Sequence, residues 1–367
     1  MFKGIKKIHF IGIGGIGMSG IAELLINLGF TVSGSDVAEN DNVKRLKQLG
    51  AEIAIGHRAE NVGDAQVAVY SSAVRKTNPE CVQAKEKGLP LIPRAEMLAE
   101  LMRMKHSIAV AGTHGKTTTT SMLATILTEA GLDPTAVIGG KLDIFQSNAK
   151  LGDGELLVAE ADESDRSFLK LAPIFAIVTN IEEEHMDCYH DLEDIRETFV
   201  TFLNKIPFWG FNMVCLDDPN VQHILPQLER RVITYGTHTQ AFYRLTEPSF
   251  EGFSSSFTMH RNGDSLGRVT INVPGPHNCL NALAALATAM ELGVGFEAAR
   301  AGLSAFKGVQ RRAQVRGEAA GIVVMDDANK EDLPEILKAD CKAGDIVLFL
   351  GAGDAWRQGL KLLELLK

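Results

Sequence analysis

Cysteines, long apolar runs and positive charge are all in short supply in this chain of 367 residues. Its five cysteines, Cys81, Cys188, Cys215, Cys279 and Cys341, are odd in number, scattered and free of C-x-x-C spacing. That argues against a disulfide framework and for a reduced, cytoplasmic setting. The longest apolar runs are of strand length, too short to cross a bilayer, so no membrane insertion is expected. The opening "MFKGIKKIHF" passes straight into a strand and lacks the apolar core of a signal peptide. Lys and Arg number 37 against 46 Asp and Glu, a net charge of -9. Nucleic acid is therefore excluded as a general partner, because phosphate backbones recruit basic surfaces. Small anionic ligands are not excluded, since a glycine loop supplies the few donors they need. There is no internal repeat and no low-complexity tract.

What is present is the composition of a soluble globular protein, 45% hydrophobic and 23% charged. The length suits two or three domains. Through the first hundred residues, β-branched runs ("KIHFIGI", "TVSGSD", "EIAIG", "VAVYSS") alternate with helical patterns ("GMSGIAELLINLG", "NVKRLKQLG"). This alternation predicts βαβ units around a parallel sheet. Pro90 and Pro93 mark a connection before the helix "RAEMLAELMRMK". A second α/β series opens at Ser107 with "SIAVAG", "LLVAEAD" and "FAIVTN" as strands. From Phe242 to Val273 the pattern shifts to short alternating strands, an antiparallel excursion beside the main sheet. The helix "NCLNALAALATAMELG" follows, and "AFKGVQRRAQVRGE" reads as a boundary.

Gly12, Gly14 and Gly17 form G-x-G-x-x-G between a predicted strand and a predicted helix, and Asp36 ends the next strand. Glycines let the backbone approach a pyrophosphate, the helix N-terminus attracts it, and the acid meets a ribose. NAD(P) and a UDP-sugar satisfy that logic equally. Farther on, "GTHGKTT" sets Gly112, Thr113, His114, Gly115, Lys116, Thr117 and Thr118 at a second strand-to-helix junction. Backbone N–H groups there would cradle phosphates, Lys116 would reach the β/γ oxygens, and the Thr117 hydroxyl would bind Mg²⁺. Val110 occupies the position of the first glycine in G-x-x-x-x-G-K-[ST], so the loop is a variant.

Mg²⁺ prefers hard oxygen ligands. "EADESD" offers Glu160, Asp162, Glu163 and Asp165 past one strand, and "EEEHMD" offers Glu182, Glu184, His185 and Asp187 past another. Glu160 and His185, at the predicted strand ends where open α/β sheets gather ligand groups, are the favoured pair. A zinc site from His185, Cys188 and His190 lacks the four ligands of a structural centre.

Taken together these motifs resemble the Mur ligase family. The resemblance runs in order over nearly the whole chain through "GIGGIGMSGIAELL", "VSGSD", "YSSAV", "RAEMLAELM", "AVAGTHGKTTTTSML", "EADESD", "TNIEEEHMD", "PGPHNCLNALAA", "FKGVQRR" and "LFLGAGD". It implies an α/β, three-domain architecture. A Rossmann-like UDP-sugar-binding domain would span 1–104, a central P-loop ATPase domain with the antiparallel excursion 105–314, and a partial C-terminal Rossmann-like domain 315–367. It implies a cytoplasmic ATP- and Mg²⁺-dependent ligase, monomer or homodimer, joining L-alanine to UDP-N-acetylmuramate through an acyl phosphate in peptidoglycan precursor synthesis. Catalysis would then be positioning and charge stabilisation. Lys116, His185 and Arg312 would be catalytic, with Thr117, Glu160 and His185 on the metal. Residues 112–118 with Asn278 and Asn281 would hold ATP, His277 standing near. Gly14, Gly15, Ile16, Gly17, Asp36, His57, Ser71 and Ser72 would face the UDP-sugar.

Three departures stand out. Arg166 replaces a residue that is small in the family's pattern, and Glu184 replaces the Asp that precedes the histidine. After "GIVVMDD" the family's catalytic stretch is missing, and Asp327 runs into "ANKEDLPEILKADCKAGD". Some hundred residues fewer than an ordinary third domain remain, so the intact polypeptide is expected to be larger than the 367 residues here. The "MDD" and "GDIVLFLGAGD" strands are expected to pair in parallel. A non-catalytic nucleotide-binding remnant is the alternative reading. A nicotinamide oxidoreductase leaves the Lys116 loop unexplained.

Overall fold

In the computed structural model, residues 2, 4–142, 147–308, 314–319, 322–326, 346–348 and 362 are described. The first unit comprises β1 (Lys7–Ile11), α1 (Ile16–Asn27), β2 (Thr31–Asp36), α2 (Asp41–Gln48), β3 (Glu52–Ile55), β4 (Val67–Tyr70), α3 (Pro79–Glu86), β5 (Leu91–Pro93) and α4 (Arg94–Met102). Its strands lie in the order β3-β2-β1-β4-β5, all parallel. β1 is buried from Ile8 to Ile11, as a strand covered on both faces must be. The chain crosses from one side of β1 to the other between β3 and β4, so the loops after β1 and β4 flank a crevice. The prolines expected to mark a connection instead bracket β5, an edge strand; an edge needs only half of its backbone groups paired, so Pro93 is tolerated there.

The second unit contains β6 (His106–Ala111), α5 (Lys116–Glu129), β7 (Thr135–Leu142), β8 (Ser147–Lys150), β9 (Leu156–Glu160), β10 (Phe175–Val178), α6 (Leu192–Leu203), β11 (Phe211–Cys215), α7 (Pro219–Ile224), β12 (Val232–Gly236), β13 (Tyr243–Glu251), β14 (Ser254–Arg261), β15 (Asp264–Ile271), α8 (Pro276–Glu291) and α9 (Phe296–Ser304). Among the described residues ten strands form one sheet, β15-β14-β13-β12-β11-β10-β6-β9-β7-β8. The antiparallel excursion is therefore part of the main sheet. β13 pairs in parallel with β12, and β14 and β15 extend that edge as hairpins.

β6 sits between β9 and β10 and is fully buried from Ser107 to Ala111. Its outgoing loop thus hangs over the carboxyl ends of both neighbours. α5 packs beneath against α8 and α9 through Met122, Leu123, Ile126, Leu283, Leu286 and Leu303. Alanines at 282, 284, 285, 287 and 289 keep α8 thin, and a Cβ on Gly302 would stand 3.1 Å from the Ile126 Cα. Small residues at this crossing let the three helices approach closely, which anchors the start of α5. The two units touch where α1 lies against β7 and β8, and where Arg94 pairs with Asp162 at 3.2 Å.

Last come β16 (Gln314–Ala319), β17 (Ile322–Asp326) and β18 (Ile346–Leu348). β17 and β18 pair in parallel, as the two apolar runs suggest, while β16 adds an antiparallel edge.

Candidate active site

Two glycine loops crown the two sheets. In the first, the Gly14 N–H donates to Asp36 Oδ2 at 2.7 Å, and the Gly14 carbonyl accepts from Asn42 at 2.9 Å and Asn40 at 3.1 Å. A Cβ on Gly14 would lie 2.8 Å from Asn40 Nδ2 and 2.9 Å from Asp36 Oδ2, so a side chain there would displace the acid. The loop borders a cavity of about 660 Å³ whose lining includes Gly12, Gly14, Gly15, Asp36, His57 and Ser71. Ile16, Gly17 and Ser72, expected to face the same ligand, do not line it. Gly17 serves packing, since a Cβ would approach the Arg94 guanidinium to 3.0 Å. Asn40, Thr77, Asn78 and Arg75 also line the cavity and were not foreseen. Arg75 is exposed, with no side-chain partner among the described residues, and gives an otherwise neutral-to-acidic pocket its cation. The signal was present in "YSSAVRKTN", which continues past the serines into a basic turn.

The second loop joins β6 to α5. Gly112 has φ +128, and a Cβ there would come within 2.1 Å of Thr179 Oγ1. Gly115 has φ +85, and its Cβ would meet Asn281 Oδ1 at 2.5 Å. Neither position can carry a side chain. The loop is tied to the end of β10: the Thr113 and His114 N–H groups donate to Asn180, and Thr179 Oγ1 donates to the His114 carbonyl at 2.5 Å. His114 turns its exposed ring to Glu182 and Glu184, at 3.5 and 3.4 Å. The extra methylene of Glu184 thus finds a partner in the second glycine loop.

Lys116 is the electrostatic centre. Its ammonium donates to the Gly112 carbonyl at 2.6 Å, the Thr113 carbonyl at 3.0 Å and Glu163 Oε1 at 2.7 Å. Glu163 is buried, and its Oε2 has no hydrogen-bond partner. Burial pushes its carboxyl above the usual range, outweighing the pull of Lys116. A buried polar atom without a partner is rare in native proteins and marks a place for a ligand, water or ion. Thr117 donates to Glu160 Oε2 at 2.9 Å, and the same oxygen accepts the Gly139 N–H at 2.8 Å. Thr117 and Glu160 are therefore brought together as expected.

His185 is not brought to that pair. Its Nε2 lies 3.9 Å from Glu163 and 3.9 Å from Glu184, on a backbone of φ +58. Left-handed geometry at a histidine in a polar loop is the kind of local strain that gathers at functional sites. Arg166 explains how the loop is held. Its guanidinium covers the Tyr189 ring at 4.5 Å, donates to the Cys188 carbonyl and pairs with Asp194. The Tyr189 hydroxyl in turn reaches the Glu163 carbonyl at 2.5 Å. The large residue at position 166 thus braces both acidic loops.

Asn278 and Asn281 are buried at the start of α8. Asn281 accepts from Thr119 at 3.2 Å and so borders the second loop through α5, while Asn278 donates to the Pro274 carbonyl at 2.7 Å and accepts from Asn281 at 3.4 Å. His277 stands exposed beside Gly275. Thr118 is half-buried in the first turn of α5. Arg312 lies outside the described residues.

A divalent cation fits the second site on its donor chemistry. The Thr117 hydroxyl, the Glu160 carboxylate and the partnerless Glu163 oxygen are hard donors, and Mg²⁺ keeps several waters and phosphate oxygens beside one or two carboxylates. Among the described residues no three His, Cys, Asp or Glu side chains converge as a complete protein cage.

Comparison with known proteins gives a consistent picture. Residues 7–106 match the family described as Mur ligase family, catalytic domain, and residues 110–289 match the Mur ligase middle domain. The UDP-N-acetylmuramate–L-alanine ligase of Geotalea daltonii is 58% identical over 327 residues, which is 89% of this chain and 71% of that one. The UDP-N-acetylmuramate–alanine ligase of Thermotoga maritima superposes with a TM-score of 0.81 at 27% identity, covering 98% of each chain. The UDP-N-acetylmuramate:L-alanyl-γ-D-glutamyl-meso-diaminopimelate ligase of Neisseria meningitides superposes with a TM-score of 0.77 at 31% identity, covering 84% of this chain and 100% of the other.

Proposed function

The chain belongs to the Mur ligase family, and from that membership we propose that it is an ATP-dependent ligase joining L-alanine to UDP-N-acetylmuramate. The observation that carries the reading is the pair of glycine loops on separate sheets, one beside a cavity with Asp36, His57 and Arg75, the other around Lys116. One nucleotide loop suffices for a binding protein. Two are required when a sugar nucleotide must be activated by ATP. On this reading residues 1–104 bind the UDP-sugar, 105–314 bind ATP, and 315–367 belong to a third domain. Relatives as close as 58% identity are named as ligases, so a non-catalytic remnant is not favoured.

A carboxylate is a poor acyl donor because its leaving group would be oxide. The lactyl carboxylate attacks the γ-phosphorus of ATP, ADP leaves, and the acyl phosphate accepts the amine of alanine with release of phosphate. The protein's contribution is to position the reactants and spread their charge. The three protons of the Lys116 ammonium, each matched to an acceptor without ligand, turn toward γ-phosphate oxygens. The N–H groups at the start of α5 cradle the β-phosphate, and the Asn278–Asn281 end of α8 meets the base. Thr117 and Glu160 would hold Mg²⁺, which when bound neutralises the transferring phosphoryl group. His185 and Arg312 complete the substrate-facing set. Phosphate release that depends on UDP-N-acetylmuramate and L-alanine together is the expected result of a coupled assay on the full chain. Release with ATP alone, or none with all three substrates, would refute the ligase reading.

Asp36 offers a separate check of the first loop. In Asp36→Ala the Gly14 N–H loses its acceptor and the ribose its acid. UDP-N-acetylmuramate affinity should then fall about tenfold or more, by the cost of an unmade hydrogen bond to a charged group. ATP affinity should hold, because the second loop is built on another sheet. Calorimetric titration of both ligands measures the difference.

A further inference from the structure

Beneath the first cavity lies a buried carboxylate that the reaction does not use. Glu80, in the first turn of α3, has a fully buried side chain. Its Oε2 accepts from His9 Nε2 at 3.0 Å and from the Ser35 hydroxyl at 2.6 Å. Its Oε1 accepts from Asn61 Nδ2 at 2.6 Å and from the Arg58 N–H at 3.1 Å. Burial alone would raise its pKa, but the hydrogen bonds from His9, Ser35 and Asn61 outweigh it and hold the carboxyl at about 2. Glu80 is ionised, and an ionised carboxylate only accepts.

That fact fixes a chain of protons. Ser35 owns one hydroxyl proton, and it goes to Glu80. The Ser35 oxygen also lies 2.9 Å from His57 Nδ1, so there it must accept, and Nδ1 must carry the ring proton. A second acceptor, Glu80 Oε1, stands 3.5 Å from the same nitrogen. In the neutral ring Nε2 is then a bare lone pair. His57 lines the cavity, and its Nε2 has no partner among the described residues.

The sheet order says what Nε2 meets. Moving outward along β1, β2 and β3, the strand ends present the glycine loop, then Asp36, then the turn that carries His57. A nucleotide with its pyrophosphate on the loop and its ribose at Asp36 therefore lays its base beside His57. We infer that Glu80, acting through Ser35, is a positioning residue that presents His57 to the base as a hydrogen-bond acceptor, and so selects the ring N–H of uracil over cytosine, whose corresponding nitrogen has no hydrogen. The inference rests on the UDP-sugar reading of this cavity.

Glu80→Gln inverts the relay with little change of shape. The amide donates to Ser35, the Ser35 proton turns to Nδ1, and the His57 proton moves to Nε2. Calorimetry with UDP and CDP on the wild type should show a preference for UDP of about tenfold or more, since an unmatched polar contact in a site costs that much. In Glu80→Gln the preference should fall to parity or reverse, with ATP affinity unchanged. A merely structural role would weaken both nucleotides equally and leave their ratio intact, and that result overturns the inference. Nitrogen-15 histidine spectra of the ligand-free wild type give a second measurement that needs no folded variant. The His57 signal, identified by its loss in His57→Gln, should show a protonated Nδ1. A protonated Nε2 refutes the relay. If neither UDP nor UDP-N-acetylmuramate binds the wild type, the reading of the cavity falls, while the tautomer still decides the relay.

Discussion

Replacing Lys116 with alanine is expected to lower phosphate release about a thousandfold or more, the scale at which a preorganised charge acts on a transferring phosphoryl group. UDP-N-acetylmuramate affinity should stay within about twofold, because distant sites without shared partners act independently. The variant has a second consequence. Lys116 is the cation that faces Glu163, whose side chain is only 4% exposed. Without it the carboxylate keeps only the His185 ring at 3.9 Å and two oxygens lacking close partners. Breaking a buried pair from one side costs about 3–5 kcal/mol, so the melting temperature should drop as well. Adding Glu163→Gln removes the stranded charge and should restore much of the stability but none of the turnover. Recovery of turnover in the double variant, or loss of sugar-nucleotide binding in the single one, would show that Lys116 does not act on ATP.

Gly112→Ala should be nearly as damaging by a purely steric route. At φ +128 an L-residue is strained by about 1–3 kcal/mol before any contact is considered. Its Cβ would then overlap Thr179 Oγ1 at 2.1 Å and press on the Asn180 carbonyl at 3.0 Å. These are the groups that hold Thr113 and His114 in place. The loop must lift away from β10, and its N–H groups no longer converge on a phosphate. ATP affinity is expected to fall about a hundredfold, a loss of two such hydrogen bonds to charge. Melting curves and ATP titration together test it. Unchanged affinity would mean that the loop does not rest on β10 as described.

Much of the second site's geometry could be read in advance because a glycine loop is a local device. The β-branched run, the glycines with their positive φ, and Lys116 at the first position of α5 are neighbours in the chain, so their spacing carries their geometry. The same holds for Gly14 and Asp36, the one in the loop just past β1 and the other at the end of the adjacent parallel β2. Reading failed where hydrogen-bond pairing rather than side-chain pattern defines the element. β7 and β8 pair around Gly139 and Gly140, which blur any strand pattern, and β5 is three residues flanked by proline. Gly17 fits the glycine motif, yet its reason is the Arg94 side chain from a helix far along the chain.

By itself the amino-acid sequence determined that there are two glycine loops, each at a strand-to-helix junction, and that their motifs belong to one ligase family. Those features depend on backbone conformation and hydrophobic period, which are written within a dozen residues. Only the tertiary structure decided which of the many acids meets which loop. Glu163 rather than a neighbour takes Lys116, Glu160 takes Thr117, and His185 joins neither Thr117 nor Glu160. Only the fold likewise set Asn281 against Thr119, and Glu80 under Ser35 and His57. The reason is that strand order, not chain order, brings loop ends together. β6 lies between β9 and β10, so residues scattered from 112 to 281 share one small volume whose pairings no local pattern encodes.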